Sequence, residues 1–387
     1  MARSIPLSVP ELNGHEWTHL KECLETGWVS SAGPFVTRFE QEIAACLGTA
    51  AAVAVVNGTA ALHLALLVAG VQPDEEVLVS DLAFVAPANA IRYVGAWPVF
   101  MDADAATWQM DPEKVSEFLT GGCQWRDGKL FNRVTRRRVS AILPVHILGH
   151  PCDMDPLRRL AERYALRLIE DAAEGLGARY HGRMVGALGE IACLSFNGNK
   201  IITTGGGGMV VSDNARWIER ARYLSTQAKD DPEEYIHNEV GYNYRLTNLQ
   251  AAVGCAQLQR LEDYVARKTQ IAQRYATAFS DLPGLVCMPS ASWAAPTSWL
   301  FTVRLIGADA AGLTRMIQSL AAQGIQARRL WRPLHLLPMY RTAQAYRIEF
   351  APTLYAEAVS LPSSVGLQEE EGEQVIRAVR ECVTRSR

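Results

Sequence analysis

The sequence predicts an α/β protein: a large, mostly parallel sheet covered by helices on both faces, followed by a smaller α+β unit. Three observations carry this expectation. Short apolar runs rich in β-branched residues recur through the first two thirds of the chain, and helix-like stretches separate most of them. The runs are also apolar throughout rather than alternating, as strands buried on both faces are. With 387 residues, of which 49% are hydrophobic and 20% charged, the chain can build a large core. A prior of about 150 residues per domain allows two or three domains.

Taken in order, residues 1–31 read as an N-terminal arm and 32–250 as the large domain. Strands are predicted at Ala52–Val56, Glu76–Ser80, Pro98–Met101, Ser140–Val145, Arg167–Glu170, Ile191–Phe196 and Met209–Ser212, giving a seven-stranded sheet. Ala60–Ala69, Pro87–Tyr93, Pro112–Leu119 and Pro156–Tyr164 read as intervening helices. The texture changes near Leu246, and residues 251–387 read as a smaller domain. Asn248–Phe279 is predicted as one long helical segment, followed by a strand at Trp299–Ile306, a helix at Ala311–Gln323 and an amphipathic helix at Glu369–Val383.

Composition narrows the function classes. Lys and Arg total 38 against 41 Asp and Glu, a formal net charge of -3. The sequence pI is near 6.3. No global basic field exists to gather nucleic acid or anionic lipid. The first residues lack the apolar core of a signal peptide, and Ala60–Val71 is too short to span a bilayer. Eight cysteines are scattered without a C-x-x-C pair, which suits reduced thiols rather than a zinc site or disulfide scaffold. A cytoplasmic protein without a bound metal, a nucleic-acid partner or a membrane partner is expected.

Three elements could carry chemistry. The first is Ser195-Phe196-Asn197-Gly198-Asn199-Lys200, where an apolar strand feeds a polar loop ending in lysine. Alone, such a lysine reads as a solvated surface charge. Within ten positions of Lys200, however, Glu190 is the sole other charged residue, whereas surface lysines usually sit among charges. A partly desolvated lysine is a competent amine nucleophile, with Schiff-base formation one use. The glycines 205–208 lie between two strands, so they read as a close-packed turn and not as a dinucleotide fingerprint.

The second element is Glu170-Asp171-Ala172-Ala173-Glu174. Asp171 falls at the carboxyl end of a predicted strand, where ligands of parallel sheets sit. A helix N-cap is one reading of it. A carboxylate that keeps a cofactor's pyridine nitrogen protonated is the other. The third is Asn57-Gly58-Thr59-Ala60, whose small residues at a helix start could bind an anion, unless Thr59 is a plain N-cap. Phosphate cradle, ring-nitrogen partner and lysine are what pyridoxal 5'-phosphate requires.

These residues resemble the DegT/DnrJ/EryC1/StrS family of sugar aminotransferases, over nearly the whole chain. The matching motifs are NGTAAL (57–62), EDAAE (170–174), SFNGNK (195–200), GYNYRLTNLQAA (241–252), WVSSAGPFVTRFE (28–40) and PLHLLPMY (333–340). The resemblance implies the fold-type-I pyridoxal-phosphate architecture. By position, it implies that Lys200 carries the Schiff base and shuttles the proton. Asp171 would pair with the ring nitrogen and Glu174 would sit near the ring hydroxyl, where many relatives have Gln. Gly58, Thr59 and Ser195 would hold the phosphate, Ala60 and Asn197 would also bind the cofactor, and Phe84 would stack on the ring. Asn243 would reach the phosphate of a neighbouring subunit, which makes a homodimer the minimum unit. Ser30, Ser31, His335 and Trp331 are substrate candidates, while His146 reads as structural.

The implied activity moves an amino group from L-glutamate to C4 of a nucleotide-linked 4-keto-6-deoxy sugar, with UDP- or GDP-linked 4-keto-6-deoxy-N-acetylglucosamine as the expected acceptor. SFNGNKIITTGGGG with WVSSAG, and a basic insertion at Trp125–Arg138, are most similar to the branch acting in legionaminic acid and bacillosamine synthesis. The insertion reads as a solvated hairpin or as a nucleotide contact. A perosamine-type or 3-keto acceptor is the alternative. A sugar dehydratase is disfavoured by the retained lysine, and a non-catalytic regulator by the complete constellation.

Overall fold

A computed structural model describes residues 4–385 except Pro232. Its large sheet has the strand order Ala51–Val55, Gly208–Ser212, Ile191–Ser195, Arg167–Asp171, Val139–Leu143, Glu76–Ser80, Trp97–Met101 and Gln344–Tyr346. Gly208–Ser212 runs antiparallel to both neighbours, and the remaining pairings are parallel. The sheet therefore has eight strands rather than the expected seven. The additional strand is an edge strand of three residues, flanked by exposed and half-buried positions. It lacks the apolar run by which the other seven announce themselves.

The inner strands are buried from end to end: Glu76–Ser80 and Val139–Leu143 show no accessible position. Two apolar cores flank the sheet, one built around Phe39, Phe118 and Phe196, the other around Leu62, Leu66 and Phe100. Helices Gly58–Val68, Ala86–Tyr93 and Met154–Arg163 match the expected elements to within two residues. The basic insertion is a hairpin, Cys123–Arg126 against Lys129–Asn132. Several of its charges are engaged nearby: Arg133 donates to the Cys123 carbonyl, Arg137 lies over the Trp97 ring and Arg138 pairs with Glu75.

The predicted long helical segment is two helices, Asn248–Leu258 and Leu261–Phe279, interrupted at Gln259 and Arg260. The first packs on Glu16–Thr26 and Pro34–Leu47, whereas the second belongs to a third core with Tyr275, Phe301 and Val379. A four-stranded antiparallel sheet (Leu285–Cys287, Phe301–Leu305, Ala358–Leu361, Arg328–Arg329) backs this third core. The segment expected as an arm lies against its own chain, with Ile5 bridging to Ile325 and His19 and Cys23 buried over Asn248–Leu258. All eight cysteines are free. Among the described residues no helix is long and apolar enough to cross a membrane.

Candidate active site

The carboxyl ends of the sheet strands deliver the three motif elements to one place. Asp171 ends Arg167–Asp171, Ser195 ends Ile191–Ser195, and Gly58 opens the helix after Ala51–Val55. A Cβ on Gly58 would sit 3.0 Å from that of Ser195, so these two residues touch. Asn57, not Thr59, is the N-cap, its side chain accepting from the Ala60 amide at 2.8 Å. That removes the cap reading of Thr59 and leaves its half-buried hydroxyl beside the first helix amides, which have no intrahelical acceptor. Gly208, paired with both Val55 and Ser195, makes the approach possible because a Cβ there would collide with the Asn57 backbone.

Lys200 sits in the tight loop beyond Ser195, its amide donating to the Asn197 carbonyl at 3.0 Å. Its side chain is 13% exposed, with Nζ 3.6 Å from Glu174 Oε1. On its other side Nζ lies over the Trp299 ring, 4.1 Å from the centroid. Trp299 was not marked as a site residue by the sequence, since an indole before an apolar strand looks like core. It is buried, and its Nε1–H donates to the Asn199 carbonyl at 2.6 Å, gripping the lysine loop.

The two carboxylates occupy different surroundings. Turns follow Asp171 rather than a helix, so the N-cap reading fails there too. Its carboxylate is buried and accepts a hydrogen bond from the Ala173 amide at 3.1 Å. Burial raises its pKa, opposed by that amide and by the charge of Lys200. Glu174 is pushed up to about 7, chiefly by burial, with Lys200 and the Leu148 amide pulling the other way. Leu148 donates to Glu174 Oε2 at 2.8 Å from a left-handed backbone conformation, φ 59°. Such a conformation is strained for leucine. Gln109, which accepts from the Ile147 amide at 3.0 Å, helps to hold the loop in it.

The remaining expected residues have surroundings of their own. Phe84 is 55% exposed on the loop after Glu76–Ser80. That loop also carries buried Asp81, which receives His335 Nδ1–H at 2.7 Å and the His335 amide at 2.9 Å. Ser30 and Ser31 are tied by their carbonyls to the Asn248 amide (2.6 Å) and to Arg245 (3.2 Å). Trp331 packs half-buried against the core that contains Phe100. Asn197 is exposed and donates to the Asn199 side chain, and Asn243 is exposed in the chain of its own subunit. His146 is fully buried: Nε2–H donates to Glu170, and Nδ1 accepts from the Cys152 amide. Glu170 in turn accepts from the amides of Gly186, Leu188 and Gly189, a structural role.

The donor set fits pyridoxal phosphate. An under-partnered buried carboxylate suits a protonated ring nitrogen, and a glycine-lined helix start suits a phosphate. A model of the DegT/DnrJ/EryC1/StrS aminotransferase family matches residues 10–380. The chain belongs to that family. The GDP-perosamine synthase of Caulobacter vibrioides is 37% identical over 376 residues, covering 97% of each chain. The putative pyridoxal phosphate-dependent aminotransferase EpsN of Bacillus subtilis is 38% identical over 385 residues, covering 98% of this chain and 96% of that one. The crystal structure of the aminotransferase TlmJ from Streptoalloteichus hindustanus superposes with a TM-score of 0.89 at 29% identity, over 99% of both chains. Members of the family are pyridoxal-phosphate-dependent sugar aminotransferases, and this chain is one.

Proposed function

We propose that the enzyme transfers the amino group of L-glutamate to C4 of a nucleotide-linked 4-keto-6-deoxy sugar, with a GDP-linked, perosamine-type acceptor first in line. The observation that carries the reaction type is the largely covered Lys200 amine held between Glu174 and Trp299. The name of the Caulobacter relative supports the perosamine-type acceptor over the N-acetylglucosamine-derived one suggested by the loop motifs.

When bound, the cofactor supplies an electron sink for the carbanion formed on the amino acid. Asp171 would sit with the ring nitrogen and favour its protonated form, which would relieve the buried carboxylate. Gly58, Thr59 and Ser195 would hold the phosphate by helix-start amides and hydroxyls. Lys200, as a free amine, would take up the α-proton of the amino acid at Nζ and deliver it back, with Trp299 and Glu174 fixing where Nζ can swing. Phe84 would stack on the ring. His335, oriented by Asp81, and the Ser30–Ser31 segment face the sugar, while Trp331 supports that side. Asn243 reaches the phosphate site of a second copy, so the working unit is a homodimer.

The test offers purified enzyme L-glutamate with GDP- and UDP-linked 4-keto-6-deoxy sugars and identifies products by mass and NMR. A 4-amino sugar from the GDP substrate, and 2-oxoglutarate in equal amount, are expected. Preference for a UDP-linked N-acetylated acceptor would reassign the sugar but keep the chemistry. Lys200→Ala should lose turnover by at least about 10⁴-fold and the visible Schiff-base band with it. A variant that turns over normally would remove Lys200 from this role.

A further inference from the structure

Lys268 lies in the middle of helix Leu261–Phe279, 2% exposed, with a lysine side chain where the third core is otherwise apolar and aromatic. Burying an ammonium is costly unless something repays it. Among the described residues no carboxylate pairs with it. Its Nζ instead donates to two backbone carbonyls, Trp299 at 2.9 Å and Ser363 at 2.5 Å. Ser363 reinforces the same point, its hydroxyl donating to the Trp299 carbonyl at 3.4 Å and accepting from the Phe301 amide at 3.2 Å. Tyr275, two turns along the helix, donates to the Pro362 carbonyl at 2.9 Å. Lys268 and Ser363 thus converge on the Trp299 carbonyl, while Tyr275 holds Pro362, the neighbour of Ser363.

Trp299 connects this buried clamp to the chemistry. Its carbonyl belongs to the clamp, whereas its indole belongs to the active site. The ring lies under Lys200 Nζ and its N–H holds the Asn199 carbonyl, one residue from Lys200. Ser8 also donates to Asn199, at 3.1 Å, so the lysine loop is fixed from two sides. The π face favours the cationic form of whatever nitrogen Lys200 bears.

From this chain of contacts we infer that Lys268 is a positioning residue for the reaction: it anchors Trp299, and through the indole it sets the place and basicity of the Lys200 nitrogen. The inference rests on the proposed Schiff-base role of Lys200. Burial, with no acidic partner to oppose it, lowers the Lys268 pKa to about 7, so even the neutral amine can keep one carbonyl. The groups facing Lys200 itself are Glu174, in ion-pair range, and the charge of Asp171. Neither touches Lys268, which lets the two influences be separated.

The test titrates the visible Schiff-base band of the holoenzyme between pH 5 and 10, in the native protein, Lys268→Met, Trp299→Phe and the double variant. Methionine keeps the bulk of the stem but donates to no carbonyl, and phenylalanine keeps a ring but drops the Asn199 bond. Lys268→Met is expected to lower the band's midpoint by about one pH unit, the range open to a displaced cation–π contact. It should reduce kcat about tenfold while leaving the KM for the sugar within about twofold, since the clamp does not face the acceptor. Trp299→Phe should shift the midpoint in the same direction. The double variant should shift no further than the larger single one, because both act through one contact. A folded Lys268→Met holoenzyme with native midpoint and kcat would overturn the inference, as would additive shifts. If Lys268→Met does not fold, an unshifted Trp299→Phe midpoint overturns it instead. A visible band that survives Lys200→Ala would refute the Schiff-base assignment itself, whereas a normal native band with unmoved Lys268 and Trp299 variants refutes only the role of Lys268.

Discussion

At the scale of single residues, charge and burial separate Asp171 from Glu174 although they lie three positions apart. Glu174 titrates near 7 because burial outweighs the help of Lys200 and the Leu148 amide. A folded-state pKa above the usual carboxylate value of about 4.3 means the native state holds a proton the unfolded chain has released. The contribution of Glu174 to stability is therefore fully present below about pH 4.3 and is lost as pH rises through 7. Glu174→Gln, which cannot ionise, should lack this loss. In thermal melts of cofactor-free protein the variant should gain on the native enzyme as pH goes from 5 to 8, and parallel curves would refute the shifted titration. The motif EDAAE pointed to both carboxylates, because strand ends are visible in an apolar run. It could not show that Leu148, 26 positions earlier, would supply an amide from a left-handed turn. Trp299 escaped for a similar reason: its partner Lys200 is about a hundred residues away, and no local pattern marks the pair.

At the scale of elements, the cradle depends on two strands and a helix meeting without side chains between them. The glycines 205–208 read in sequence as a close-packed turn, but Gly208 opens the strand Gly208–Ser212 and packs against the Asn57 backbone and Gly58. Gly208→Ala would push Asn57 and Gly58 away from Ser195, so cofactor affinity should fall at least about tenfold, measured by titrating pyridoxal phosphate into the apoenzyme and following absorbance. Retained affinity would show that the close approach is dispensable. Asn248 acts similarly at the start of its helix. Its side chain accepts from the Phe35 amide at 2.9 Å and donates to the Trp28 carbonyl at 2.8 Å, fixing the WVSSAG segment. Both motifs, GYNYRLTNLQAA and WVSSAGPFVTRFE, were legible separately. That one ties down the other follows only from their packing. The break at Gln259 and Arg260 was missed because neither residue is a helix breaker by propensity. Beyond the break, Leu261 and Tyr264 still pack in the core around Phe39, and Ile271, Tyr275 and Phe279 reach the third core.

At the scale of the whole molecule, one buried carboxylate joins the large sheet to the C-terminal part. Asp102, just past Trp97–Met101, is completely buried and accepts from the amides of Glu349, Phe350 and Ala351 and from Lys114 Nζ at 2.6 Å. Burial alone would raise its pKa, but Lys114 and the three amides more than offset this and hold it low. Its contribution is present above the ordinary carboxylate range and disappears as pH falls below it. Asp102→Ala leaves three amides without their acceptor and Lys114 with only Glu349 and the Arg347 carbonyl, and should cost about 3–5 kcal/mol in urea unfolding. A loss under about 1 kcal/mol would mean the strand Gln344–Tyr346 docks without it. That strand is what the sequence could not announce, since an edge strand of three half-exposed residues has no periodic signal. The sequence by itself determined the seven apolar strands, the order of the motifs and the chemistry of a lysine, a carboxylate and a glycine-rich helix start, because these are local patterns of residue type. Tertiary structure decided which distant groups complete them: Trp299 against Lys200, Leu148 on Glu174, Asp81 behind His335 and Lys268 beneath Trp299. Each of these contacts spans at least 26 positions, and only packing brings such residues together.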